Sequence, residues 1–129
     1  MSLAVVDASA VIALILGEPG ARRIEGIIAD CAITTVNLAE TVGYFARNGA
    51  AEPAIREMLD ALRLETVLFD PELAYVAGVL LPVTREAGLS LGDRACLALA
   101  RRLSVRAITT DRSWARIATA AQVEVELIR

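Results

Sequence analysis

The chain of 129 residues carries 13 basic and 16 acidic side chains, a formal net charge of −3 and 56% hydrophobic residues. This length and apolar content predict one compact domain over residues 1–129 and exclude disorder as the main state. All 13 basic residues are arginine, and histidine is absent. The composition therefore excludes mechanisms that need a catalytic histidine, a P-loop lysine or a Schiff-base lysine.

The cysteines and the apolar runs indicate the compartment. Cys31 and Cys96 are far apart in apolar segments, so we interpret them as buried thiols of a reducing compartment, not as a disulfide or metal ligands. The longest uninterrupted apolar run, residues 10–16, is far shorter than the roughly 20 residues that span a bilayer. The N-terminus also lacks the basic segment of a signal peptide. We therefore expect a cytoplasmic protein with no membrane association.

Apolar runs and helical periodicity predict strands and helices that alternate along the chain. Strands are predicted at residues 3–6, 31–34, 64–69, 107–109 and 123–128. Helices are predicted at residues 9–16, 19–28, 35–48, 52–63, 72–87, 90–102 and 112–120. This alternation predicts an α/β fold, a three-layer α/β/α sandwich with a mainly parallel central sheet.

Four acidic side chains are predicted to meet at one edge of this sheet. Asp7 follows the first strand, and Asp111 follows the fourth. Asp93 lies in the first turn of a predicted helix, and Glu40 lies one turn into the helix that leaves the second strand. Ligand sites of open parallel sheets lie beyond the carboxyl ends of the strands. Four separate elements thus bring one acid each to the same place.

Each acid also has a structural interpretation. Asp7 can cap the helix that it precedes, and Asp93 can complete a capping pattern with Ser90. Asp111 can serve in a turn, and Glu40 can be a solvated helix residue.

A fifth aspartate is interpreted as structural. Asp70 precedes Pro71, and an aspartate N-cap followed by proline at the first helical position is a favoured helix start.

The cost of charge repulsion favours a bound cation near the four acids. Two unit charges 4 Å apart repel by about 4 kcal/mol at an effective dielectric constant of 20, which is a large share of a small domain's stability. Arg94 and Arg112 each follow an aspartate by one residue, a spacing that directs side chains apart on a helix. Since carboxylate oxygens select hard cations, we expect a Mg²⁺ or Mn²⁺ site.

Two other α/β families match less well. No G-x-G-x-x-G motif follows the first strand, which disfavours a dinucleotide-binding fold. Ser9 occupies the position at which a phosphoaspartate phosphatase has its second aspartate.

The sequence resembles the PIN-domain ribonucleases, and most closely the VapC-type toxins of prokaryotic toxin–antitoxin pairs. The matching segments span nearly the whole chain and are VVDASAVIAL, NLAETVGYF, LSLGDRACLALA and AITTDRSWARI. The resemblance implies a PIN-like fold and a Mg²⁺- or Mn²⁺-dependent endoribonuclease that hydrolyses RNA phosphodiester bonds. It also implies a cognate antitoxin as partner and a homodimer.

The resemblance assigns roles to individual residues. The four acids match the family's acidic quartet, with Asp7, Asp93 and Asp111 as metal ligands, direct or through water, and Glu40 completing the cluster or orienting water. Ser9 and Thr110 match the family's frequent hydroxyl positions, and we expect each to hydrogen-bond a carboxylate and fix its rotamer. The site residues that the resemblance implies are therefore Asp7, Glu40, Asp93, Asp111, Ser9 and Thr110.

Three arginines are candidates for RNA phosphates. Arg112 and Arg116 are predicted on one helical face beside Asp111, and Arg94 flanks Asp93. A solvated surface arginine is the alternative for each. Trp114 has two interpretations, stacking on a base or packing in the core.

Two other functions stay open from the sequence. One is a catalytically degenerate PIN-like module that only binds a partner protein, although the intact acidic set argues against it. The other is a metal-dependent nuclease acting on DNA, although the chain has little room for the additions that such enzymes need.

Overall fold

The sheet contains five strands, all parallel, in a computed structural model that describes residues 1–129. The strands are β1 (Ala4–Val6), β2 (Cys31–Thr34), β3 (Glu65–Val67), β4 (Arg106–Thr109) and β5 (Val125–Leu127). They pair in the order β3-β2-β1-β4-β5. The predicted parallel sheet is confirmed, and each predicted strand is present, most with shorter bounds.

Eight α-helical segments connect these strands. They are α1 (Ala8–Leu16), α2 (Arg22–Glu25), α3 (Thr35–Arg47), α4 (Glu52–Asp60), α5 (Pro71–Val79), α6 (Leu81–Thr84), α7 (Leu91–Leu103) and α8 (Ala118–Ala121). Two 3₁₀ turns lie at Ile28–Asp30 and Arg112–Arg116. None of the helices combines the length and the apolar character that a membrane span requires.

Helices cover both faces of the sheet. Because side chains alternate along a strand, Val5 and Ala107 face one core, whereas Val6 and Ile108 face the other. The first core is completed by residues of α5, α7 and α8, and the second by residues of α1, α2 and α4. The helix α3 packs against both α1 and α7 and so links the two helical layers. The predicted three-layer sandwich is confirmed.

Three predicted helices are broken. Residues 19–28 form only the single turn α2, which Gly20 precedes with a φ of 96°. Residues 72–87 are divided between α5 and α6, because Pro82 has no amide hydrogen to continue the helix. Residues 112–120 are divided between a 3₁₀ turn and α8. The last break changes the geometry beside Asp111.

Candidate active site

A cleft of about 480 Å³ opens at the carboxyl edge of the sheet. The chain runs from β1 to β2 and β3 on one side and then crosses to β4 and β5 on the other. Open parallel sheets bind ligands where the strand order reverses in this way. The cleft is lined by the four predicted acids, Asp7, Glu40, Asp93 and Asp111. Six other residues complete the lining: Ala8, Ser9, Ile12, Gly43, Tyr44 and Arg47.

Asp7 is a helix cap and also a wall of the cleft. It N-caps α1, where its Oδ1 accepts hydrogen bonds from the Ala10 amide at 2.9 Å and from the Ser9 hydroxyl at 2.8 Å. Its Oδ2 accepts a hydrogen bond from the Thr109 hydroxyl at 2.6 Å. The two interpretations of Asp7 are therefore compatible, because capping occupies only one side of the carboxylate.

Burial dominates the electrostatics of Asp7. Only 4% of the residue is exposed, and loss of solvation raises its pKa to about 6. The hydrogen bonds from Thr109, Ala10 and Ser9 lower the pKa and the charge of Asp93 raises it, but both effects are smaller than that of burial. No arginine forms an ion pair with Asp7. The charged carboxylate is therefore only partly stabilised in the metal-free protein.

Asp93 likewise combines a cap with a place in the cleft. Its Oδ2 accepts a hydrogen bond from the Ser90 amide at 2.9 Å, and its own amide donates to the Ser90 hydroxyl at 3.2 Å. This capping box starts α7. Burial raises the pKa of Asp93, the Ser90 hydrogen bonds lower it, and the charge of Asp111 raises it further. Asp93 is therefore a helix cap, as one interpretation predicts, and its carboxylate also lies in the cleft with the other acids.

Local hydrogen bonds fix the remaining two acids. Asp111 N-caps the 3₁₀ turn, and its Oδ1 accepts hydrogen bonds from the amide of Ser113 at 2.9 Å and from the hydroxyl of Ser113 at 2.7 Å. Glu40 Oε1 accepts a hydrogen bond from Asn37 Nδ2 at 3.0 Å. All four acids thus reach the cleft from separate elements.

The hydroxyl expected from Thr110 comes instead from Thr109. Thr109 is fully buried, donates to Asp7 and accepts from the Asp111 amide at 3.0 Å. Thr110 contributes through its backbone, since its amide donates to the Ser9 hydroxyl at 3.0 Å. The role expected of Ser9 is present, because its hydroxyl donates to Asp7. The hydroxyl that was expected from Thr110 to orient a carboxylate is therefore that of Thr109.

The three arginines chosen from the sequence lie outside the cleft. Arg94 turns toward α5, where its Nη1 donates to the Ala77 carbonyl at 2.9 Å. Arg112 and Arg116 are exposed. They do not share a face as predicted, because residues three apart, not four apart, eclipse in a 3₁₀ turn.

The structure adds one residue to the cleft, Arg47, and decides between the two interpretations of Trp114. Arg47 lines the cleft, and its guanidinium lies 5.6 Å from the ring centre of Tyr44. The sequence contains a signal for Arg47, because the spacing i, i+3, i+4 and i+7 places four residues on one face of α3. These residues are Glu40, Gly43, Tyr44 and Arg47. Trp114 is fully buried, so it packs in the core and is not available to stack on a base.

Comparison with known families identifies the fold. The model of the PIN domain matches residues 4–120. The chain belongs to the PIN-domain family. PIN domains are nucleases, so the general activity of the family is hydrolysis of a nucleic acid. A search of curated proteins finds no significant match.

Several solved structures with this fold come from toxin–antitoxin systems. The DNA-bound VapBC complex of Salmonella typhimurium matches with a TM-score of 0.76 and 18% identity, covering 100% of both chains. A toxin–antitoxin complex from Klebsiella pneumoniae matches with a TM-score of 0.74 and 23% identity over 98% of each chain. VapBC-5 of Mycobacterium tuberculosis is 27% identical with a TM-score of 0.59, over 97% of this chain and 98% of that one. The resemblance to the VapC-type PIN domains is confirmed.

The cleft of this PIN domain fits a hydrated divalent cation. As the side chains stand, no three acids or thiols are close enough to enclose a metal ion. Mg²⁺ does not need such an enclosure, because it usually keeps several waters and binds one or two carboxylates. The cleft offers four carboxylates and a single guanidinium, that of Arg47. A hard cation held partly through water therefore suits its volume and its oxygen ligands.

Proposed function

We propose that this PIN domain is a Mg²⁺- or Mn²⁺-dependent endoribonuclease and the toxin of a toxin–antitoxin pair. The observation that carries the proposal is the cleft itself, which is lined by carboxylates from four elements, none of them in an ion pair. Burial also raises the pKa of Asp7 to about 6, which indicates an uncompensated charge. A bound cation would compensate that charge, and the family activity is hydrolytic.

The acidic residues would hold the cation. Asp7, Asp93 and Asp111 would bind it directly or through water, and Glu40 would complete the cluster or orient a water. A bound Mg²⁺ or Mn²⁺ supplies a water of lowered pKa and neutralises charge on the phosphate.

The other cleft residues prepare this arrangement. Ser9 and Thr109 hold the Asp7 carboxylate by donating to its two oxygens, so its rotamer is set before any ligand binds. Arg47 is the cation placed to receive an RNA phosphate. Arg112 and Arg116 stay candidates for phosphates further along the RNA. The contact of Arg94 with Ala77 makes it the weakest candidate.

The decisive experiment maps the ends of the cleaved RNA. Attack by water, not by the ribose 2′-hydroxyl, leaves a 5′-phosphate and a 3′-hydroxyl. A structured RNA, labelled in turn at each end, is incubated with the wild-type chain in Mn²⁺ and in EDTA, beside single-stranded and duplex DNA of the same sequence. Cleavage of RNA alone, with these ends and only in Mn²⁺, supports the proposal. Cyclic 2′,3′-phosphate ends contradict the mechanism, preferential DNA cleavage contradicts the substrate, and inertness toward both favours a degenerate binding module.

We propose a protein partner and a homodimer on separate grounds. The solved structures that share this fold include toxin–antitoxin complexes. Tyr75 and Val79 lie one turn apart on α5 and are 73% and 74% exposed, so they form an apolar surface that a second protein would cover. Light scattering after gel filtration at micromolar concentration should show a dimer. The product of a small neighbouring gene, added in equal amount, should inhibit RNA cleavage. A monomer that no such product inhibits would count against both partners.

A further inference from the structure

A buried amide lies between α3 and α7 and holds Glu40. Asn37 is 1% exposed. Its Nδ2 donates to Glu40 Oε1 at 3.0 Å and to the Gly92 carbonyl at 3.0 Å. One amide group therefore ties an acid of the cleft to the first turn of the neighbouring helix.

The orientation of this amide is determined by its surroundings. The Thr34 hydroxyl donates to Asn37 Oδ1 at 2.7 Å and accepts from the backbone N–H of Asn37 at 3.1 Å. A flipped side chain would direct Oδ1 at two acceptors, Glu40 and the Gly92 carbonyl, and would lose both hydrogen bonds. The amide nitrogen consequently faces Glu40, and every polar atom of the Asn37 side chain has a partner.

Gly92 provides the space in which the Glu40 carboxylate lies. A Cβ atom at Gly92 would overlap the carboxylate of Glu40. Gly92 lies in the first turn of α7, and its φ is not in the left-handed region, so no backbone conformation requires glycine there. Glycine is also a weak helix former. The residue is therefore explained by the close approach of Glu40.

We propose that Asn37 is a positioning residue that acts on the bound cation through Glu40, with Gly92 leaving room for the carboxylate. Glu40 belongs to an exposed part of α3, and a free glutamate there would populate several rotamers. The hydrogen bond from Asn37 on one side and the contact with Gly92 on the other select one of them. The inference rests on the proposed function only in that Glu40 serves a metal ion.

The test measures Mn²⁺ affinity by calorimetry, without RNA. Two variants disturb Glu40 through different atoms: Asn37→Ala removes the donor, and Gly92→Ala displaces the carboxylate. Partners that orient metal ligands typically change metal affinity by about 10-fold to 100-fold, and we expect about 10-fold weaker binding for each variant. Thr41→Val is the matched control, because Thr41 has a buried hydroxyl on α3 that donates to the backbone carbonyl of Asn37 and forms no hydrogen bond with Glu40. It should bind Mn²⁺ like the wild type.

Combination with Glu40→Ala separates positioning from general damage. If Asn37 and Gly92 act through Glu40, neither substitution weakens Mn²⁺ binding further once Glu40 is gone. If the losses multiply, or if Asn37→Ala and Gly92→Ala both bind Mn²⁺ like the wild type, the inference is wrong. Gly92→Ala keeps the hydrogen bonds of Asn37 to Thr34 and to the carbonyl of residue 92, so it can carry the test if Asn37→Ala does not fold. A wild type that shows this coupling but cleaves no RNA would refute the proposed function and leave the inference standing.

Discussion

Two aspartates of this chain begin helices in the same way and differ in almost everything else. Asp7 accepts a hydrogen bond from the Ala10 amide at 2.9 Å, and Asp70 accepts one from the Leu73 amide at 2.9 Å. Asp70 also binds Arg102 through two hydrogen bonds, of 2.8 and 3.0 Å, and this contact lowers its pKa to about 2. Asp7 contacts only hydroxyls and an amide, and burial raises its pKa to about 6.

The contrast shows how the fold distributes its arginines. Where a carboxylate is structural, as at Asp70, an arginine pairs with it. The four ion pairs of the protein all lie outside the cleft, at Arg56–Glu52, Arg102–Asp70, Arg106–Glu126 and Arg129–Glu18. The acids of the cleft receive hydrogen bonds without a paired cation. A carboxylate that is oriented but left uncompensated is what a metal site requires before the metal arrives.

The largest expected effect is on catalysis. Asp7→Asn should reduce Mn²⁺-dependent RNA cleavage by more than about 100-fold, because it removes a proposed metal ligand. Asp70→Asn is the matched control, with the same chemical change at a helix cap, and should retain activity within about twofold. Initial rates on one end-labelled RNA, with circular dichroism as a check on folding, compare the two. Equal losses in both variants would mean that capping alone explains Asp7.

The two aspartates should also give stability profiles of opposite sign. Above pH 6 the folded, metal-free protein bears the full cost of ionised Asp7. As the pH falls from 7 toward 4, the folded state binds a proton before the unfolded state does, so the free energy of unfolding rises. A shift from 3.8 to about 6 corresponds to a gain on the order of 3 kcal/mol at most.

For Asp70 the sign is reversed. Its lowered pKa contributes stability that is present above pH 4 and is lost as the pH falls toward 2. Urea unfolding in EDTA across the pH range measures both effects. Asp7→Asn should lose most of the rise between pH 7 and 4, and Asp93, whose pKa burial also raises, accounts for the remainder. Asp70→Asn should keep the rise and lose part of the fall below pH 4. A flat wild-type profile between pH 7 and 4 would show that Asp7 is adequately solvated or paired.

Metal should reverse the stability order of one pair of proteins. Asp93→Asn keeps a side-chain oxygen for the Ser90 amide and removes a charge that faces Asp111, so it should melt above the wild type in EDTA. In Mn²⁺ the wild type should melt higher, since a ligand at one hundred times its dissociation constant stabilises a protein by about 2.7 kcal/mol. Thermal melts in both conditions measure the reversal. If the wild type is more stable in EDTA and gains nothing from Mn²⁺, Asp93 is only a cap.

Much of this contrast was accessible from the sequence. Asp7 and Asp111 follow short apolar runs, and the carboxyl ends of parallel strands share one edge, so their meeting follows from local pattern and general topology. The helix start at Asp70 was readable from the proline that follows it. Pro82 is an equally clear signal for the break in the predicted 72–87 helix, because proline has no amide hydrogen to continue a helix.

The remaining details depend on register and packing. The register pairs Val6 with Ile108, which puts Asp7 beside Thr109 on the neighbouring strand and leaves Thr110 one residue beyond. Strand register is not visible in either segment alone, so the family resemblance indicates Thr110, whereas the hydroxyl that contacts Asp7 belongs to Thr109. Arg94 turns away because a carbonyl of α5 is close to it in space, seventeen residues earlier in the chain.

The smallest expected effect concerns Arg47, the cation that the contrast leaves unassigned. Arg47 lines the cleft yet pairs with none of its acids. If it receives an RNA phosphate, Arg47→Gln should raise KM about fivefold with little change in kcat, since an exposed charge pair contributes about 1 kcal/mol. Arg56→Gln, which removes the same charge from α4, should leave KM unchanged. If instead Arg47 compensates the cleft acids, Arg47→Gln would lower the melting temperature in EDTA and leave KM unaltered. That result would erase the difference between Asp7 and Asp70, because both carboxylates would then depend on an arginine of the fold.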